Sequence, residues 1–136
     1  MIKPIMKSEM FLRLPCTLAT QEDAQLGQDL LDTLAAHKNT CVGMAANMIG
    51  VAKRAIVFDC AGKPRLMYNP EIVSKQGPYQ VKEGCLSLQG ARETTRYKRI
   101  KVSFLDERFC QKTESFTDYT AQIIQHEIDH CNSIII

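Results

Sequence analysis

The 136-residue chain has no apolar run of transmembrane length, no apolar stretch at its start that would serve as a leader, and no marked excess of either charge. The opening MIKPIMKSEMFLRLP is interrupted by Lys3, Pro4, Lys7 and Glu9, so no export signal is expected. No membrane partner is expected either, and the expected location is the cytoplasm. Seventeen basic residues are nearly matched by 15 acidic ones, and a net charge of +2 gives no basis for direct nucleic-acid binding. The six cysteines include no CxxC pair. A chain this long and aliphatic does not need a disulfide scaffold, so most of them read as small buried hydrophobes. Internal repeats, low-complexity tracts and a linker rich in Pro, Gly or Ser are also lacking, and residues 1–136 read as a single domain.

What is present is a globular composition, 45% hydrophobic and 24% charged, which excludes a disordered chain. Residues 1–19 read as an extended arm. Thr20 with Asp23 three residues on suggests a capping box, and a long N-terminal helix is expected over 22–38, stopped by Asn39. Its apolar positions Leu26, Leu30, Leu31, Leu34 and Ala35 recur at helical spacing. Strand signals follow to about residue 116: AIVF (55–58), a turn at Ala61-Gly62, RLMYN (65–69), EIVSK (71–75) after Pro70, and the alternation of Ile100, Val102 and Phe104. A second helix is expected over about 117–131. The fold class is therefore α+β, with antiparallel β-sheets around a central helix, not alternating βαβ units.

That second helix carries the chemistry. Tyr119, Ile123, His126, Glu127 and His130 fall on one side, while Ala121, Ile124, Ile128 and Cys131 fall on the other. Gln122, Gln125 and Asp129 form a polar stripe between them. Apolar residues on two faces predict a buried helix, where unpaired charge is costly. HEIDH at 126–130 fits the H-E-x-x-H pattern: histidines at i and i+4 share one face and can reach one metal ion. Glu127 is poorly placed to ligate with them and well placed to take a proton from an attacking water. A third ligand must come from elsewhere. Several Asp and Glu residues are candidates, and Cys85, in the turn-like EGCLS at 83–87, stands slightly ahead of the other cysteines.

With EGCLS and QHEIDH (125–130) together, the chain resembles the peptide deformylase family, whose members remove the formyl group from the N-terminal methionine of new bacterial and organellar proteins. A third family segment, usually G-x-G-x-A-A-x-Q, is similar to CVGMAANM at 41–48. The resemblance implies that Cys85, His126 and His130 ligate the metal and that Glu127 is the general acid and base. It also implies that the N–H of Leu86 donates to the developing oxyanion. Val42 and Gly43 would pair with the extended peptide as an added strand, and Arg92 would lie near the substrate entrance. The implied metal is ferrous iron, for which zinc or another divalent ion can substitute. The implied substrates are N-formylmethionyl peptides, as nascent chains at the ribosome.

The pattern breaks in the first segment. Cys41 stands where the family usually has Gly, and Met48 stands where it almost always has Gln. That Gln supplies an oxyanion N–H, which a thioether cannot replace, and losing one such donor costs on the order of 10²–10³ in rate. HCNS also replaces the common HLNG, and the C-terminal helix of many bacterial members is expected to be absent. Two further readings follow from Met48: a weakly active or non-catalytic relative that binds metal and peptide N-termini, and an amidase of altered acyl preference. The retained base Glu127 favours an enzyme of reduced rate.

Overall fold

The structure is a computed structural model that describes residues 1–85, 87 and 90–134. The arm expected over 1–19 is interrupted by one helical turn, α1 (Glu9–Leu12), because Ser8 accepts from the Phe11 N–H at 3.2 Å and caps it. The capping box forms at Thr20, whose N–H donates to Asp23 at 2.8 Å while its hydroxyl accepts from the Glu22 N–H at 3.3 Å. One 3₁₀ turn (Gln21–Asp23) then leads into α2 (Ala24–Ala36), which ends three residues before Asn39, with His37 at its C-cap. Leu26, Leu30 and Leu34 are buried as the spacing requires, whereas Leu31 is half-buried and Ala35 is exposed. The buried face is rotated toward Gly27, where an added Cβ would lie 2.0 Å from the Tyr68 hydroxyl, so helix and sheet meet through a missing side chain.

In place of several sheets, the described strands form one five-stranded antiparallel sheet in sequence order: β1 (Gly43–Ala45), β2 (Ala55–Cys60), β3 (Lys63–Gly84), β4 (Ala91–Leu105) and β5 (Gln111–Thr117). Ala61 and Gly62, both at positive φ, make the tight turn between β2 and β3. The two short strands expected on either side of Pro70 are one long strand. Register shifts at Tyr68/Glu71 and Ile72/Ser74 absorb the proline, which has no N–H to give the ladder. Asn69, at φ 51°, uses the bulge to hold the N-terminal arm, accepting from the Ala19 N–H at 2.7 Å and donating to its carbonyl at 3.0 Å.

The second helix, α3 (Asp118–Cys131), packs against β1, β2, β4 and β5, while α2 covers β1, β2 and β3. The core between them is built from Leu30, Met44, Ile56, Phe58, Met67, Ile100, Val102, Phe104 and Ile124. Tyr119 departs from the expected buried face and is 61% exposed. The polar stripe is not left to solvent. Gln125 accepts from the Tyr97 N–H and donates to its carbonyl, both at 2.8 Å, so it extends the hydrogen bonding of β4 as a strand would. No helix among the described residues is long and apolar enough to cross a membrane.

Candidate active site and metal centre

Helical spacing places His126 and His130 one turn apart on α3, with ring centroids 5.2 Å apart. Cys85, directly after β3, faces them, and its Sγ lies 3.3 Å from His130 Nε2. One donor atom from each of Cys85, His126 and His130 lies within 4.8 Å of the other two, so among the described residues these three can hold a metal ion. Burial opposes ionisation of the Cys85 thiol, but hydrogen bonds with His126 and His130 outweigh it and bring the thiol down to about 5. The Ser87 N–H also donates to the sulfur at 3.4 Å. A thiolate facing two imidazoles is a donor set suited to iron or zinc.

Behind the donors stands a buried charge network. His126 Nδ1 lies 2.8 Å from Glu83 Oε1, which fixes the ring and leaves Nε2 for the cysteine side. Glu83 is gripped by Arg96 through Nε (3.1 and 3.0 Å) and Nη2 (2.7 Å), and by Gln122 Nε2 (2.9 Å). Arg96 Nη1 reaches Asp129 at 2.5 Å. Burial alone would raise the Glu83 carboxyl, yet the bonds from His126, Arg96 and Gln122 pull it down to about 2. Burial would likewise lower His126, but its bond to Cys85 and the Glu127 and Glu83 charges hold the imidazolium up to about 10. Surroundings that hold a proton so firmly are anionic, and they favour a divalent cation in its place.

Glu127 sits beside this pair with its carboxylate buried and Oε1 without a hydrogen-bond partner among the described residues. Burial pushes its pKa up, relieved in part by the two histidines. Gly43 explains how β1 approaches it: an added Cβ would stand 2.8 Å from Glu127 Oε2 and 2.7 Å from Ile123 Cγ2. The two groups border a cleft of about 450 Å³, with Cys41, Val42, Gly43 and Met48 on one wall and Glu83, Cys85, His126 and Glu127 on the other. Tyr119 stands at its rim.

The β1 wall is poor in side-chain donors. Met48 is 1% exposed, and its sulfur accepts from the Ala45 N–H at 3.4 Å. Asn47 does not stand in for the missing glutamine, because its amide nitrogen donates to the His130 carbonyl at 2.8 Å. Cys41 places its Sγ 2.8 Å from the Gly43 carbonyl, and burial pushes its thiol up to about 11, so it carries its proton at neutral pH. Leu86 lies outside the described residues. Arg92 pairs with Glu83 in register across β3 and β4, is half-buried and does not line the cleft. Sequence reasoning missed Arg96, although a signal existed: Arg96 shares its strand face with Ile100, Val102 and Phe104, whose alternation marks that face as buried.

Comparison with known proteins agrees with this geometry. The family model for polypeptide deformylase matches residues 3–136. A peptide deformylase of Clostridium beijerinckii is 50% identical over 136 residues, covering 100% of both chains. One from Pseudothermotoga lettingae is 39% identical over 110 residues, 79% of this chain and 63% of that protein. Among solved structures, the Thermotoga maritima peptide deformylase superposes with a TM-score of 0.89 at 30% identity, covering 99% of this chain and 95% of that one. The Met-Ala-Ser-bound class I type b enzyme of Acinetobacter baumannii gives 0.88 at 25% identity, covering 99% and 96%. With a family match over nearly its whole length and one relative half identical from end to end, the chain belongs to the polypeptide deformylase family.

Proposed function

We propose that this chain removes the N-formyl group from the N-terminal methionine of new polypeptides, using Cys85, His126 and His130 as metal ligands and Glu127 as general acid and base. The observation that carries the reading is the convergence of those three donors within 4.8 Å beside a buried carboxylate, across a cleft from an edge strand. The family is metal-dependent, and ferrous iron is the ion assigned here, with zinc or another divalent ion able to substitute. When bound, such a cation supplies Lewis-acid polarisation of the formyl oxygen and makes water acidic enough to attack near neutral pH.

The chain's own groups do the rest. An extended peptide docks along β1, whose outer edge at Gly43 is unpaired by β2, so the formyl end points at Glu127. The Glu127 carboxylate takes the proton of the attacking water and passes it to the leaving methionine nitrogen. Burial suits it to that exchange, because its raised pKa brings proton uptake closer to neutral pH. The N–H of Leu86 is the main-chain donor assigned to the oxyanion, and Val42, Gly43 and Met48 line the peptide's path. A formyl hydrogen is the smallest acyl substituent, so a close-fitting site rejects acetyl by size. Arg92, on the strand opposite Glu83, is assigned to the outer part of the peptide. The reading also takes 1–136 as one domain organised around the central HEIDH helix and its long N-terminal helix. Its place of work is the cytoplasm, on nascent chains at the ribosome. The Met-Ala-Ser seen in the Acinetobacter baumannii structure of the same fold is a product of the expected kind.

The test is formate release from formyl-Met-Ala-Ser by anaerobically purified ferrous protein. Turnover is expected, with a loss of about 10²–10⁴-fold in Glu127→Ala while metal content is unchanged. No turnover by fully metallated wild-type protein would overturn the assignment.

A further inference from the structure

Position 41, where the first motif departs from glycine, sends its side chain back onto the strand that would receive the peptide. The Asp59 N–H donates to the Val42 carbonyl at 2.8 Å, so in this antiparallel pair residue 42 faces β2 and Gly43 turns its main-chain groups the other way. Because β1 is the outermost strand of the sheet, the Gly43 carbonyl is an edge acceptor open to the cleft. The Cys41 thiol lies 2.8 Å from that oxygen and donates to it. Gly43 has no freedom to move off, since β1 is pressed onto Ile123 and onto Glu127, whose unpartnered Oε1 borders the same cleft.

The geometry points to Cys41 as a positioning residue for the peptide main chain: its thiol competes for the Gly43 carbonyl that an added strand's N–H would take. This rests on the reading that the cleft binds an extended peptide. A glycine at this position, as the family usually has, leaves the carbonyl free. Here the docking peptide must displace a thiol proton or share the oxygen with it. The competition applies equally to bound substrate and transition state, so it appears in KM and not in kcat.

The test compares wild type, Cys41→Ala and Cys41→Ser on two readouts, KM for formyl-Met-Ala-Ser and calorimetric affinity for the product peptide Met-Ala-Ser. Alanine keeps the Cβ and removes the donor; serine keeps a donor. Since a net hydrogen bond is a small term, Cys41→Ala is expected to lower KM and the product Kd by about three- to tenfold at unchanged kcat. Cys41→Ser is expected to stay near wild type. Equal values in all three proteins would overturn the proposal, as would an equal gain in Ala and Ser, which would assign the effect to the size of sulfur. A wild type that binds Met-Ala-Ser yet releases no formate would count against the deformylase reading alone, and the Cys41 comparison would then be decided on product affinity.

Discussion

The α3 wall of the cleft and the β1 wall face each other across the same space but are built from opposite materials. On the α3 side, Glu127 apart, the buried charged groups are held by polar partners: His126 by Glu83, Glu83 by Arg96 and Gln122, Arg96 by Asp129. On the β1 side the corresponding places hold two sulfurs and an engaged amide. Met48 accepts from Ala45, Cys41 leans on Gly43, and Asn47 is taken up by the His130 carbonyl. Buried charge forces partners, because an unpaired one costs several kcal/mol, roughly 3–5 when a buried pair is broken. Changing Gln for Met at a cleft wall carries no such penalty, as a thioether buries without needing a donor or acceptor. The wall that fixes the charges is constrained by electrostatics as well as by packing, whereas at Met48 the other wall carries no electrostatic demand.

Two substitutions can break or sharpen this contrast. The larger effect is expected on the β1 side. Met48→Gln restores a side-chain N–H beside the site and is expected to raise kcat on formyl-Met-Ala-Ser by on the order of 10²–10³. An unchanged rate would show that another group already serves the oxyanion. The smaller effect lies on the α3 side, where Glu83→Ala removes the acceptor of His126 and leaves Arg96 with Asp129 alone. Metal affinity, read by competition with a chelator, is expected to fall about 10–100-fold. Unaltered affinity would mean that the network serves the fold and not the donors.

The legible parts of the site are those written at short spacing. HEIDH encodes two histidines on one helical face and an acid beside them, and the structure buries all three, with His126 and Glu127 on the cleft and His130 against Cys85. The capping box at Thr20 and the turn at Ala61-Gly62 are similarly local, and both form. What escaped the sequence depends on distant partners. Gln122, Gln125 and Asp129 read as a polar stripe, yet each is bonded to a residue of β3 or β4 far away in the chain. Arg92 and Arg96 differ by four positions; the register sets Arg92 opposite Glu83, yet Arg96 is the buried one, its side chain bonded to Glu83 and to Asp129 of α3. Pro70 reads as a strand break because nothing local shows that a bulge will accommodate it. Cys85 was scarcely separable from five other cysteines by pattern, and the family motif supplied what spacing did not.

The central claim is that Cys85 and the HEIDH histidines together hold one metal ion. Titration of the metal-depleted protein with Co²⁺ tests it most directly, since thiolate ligation gives a sulfur-to-cobalt charge-transfer absorption that imidazole and carboxylate ligands do not. The expected result is one equivalent bound with that absorption in wild type, and its loss with weakened binding in Cys85→Ala. The same stoichiometry and absorption in the Cys85→Ala protein would contradict the account.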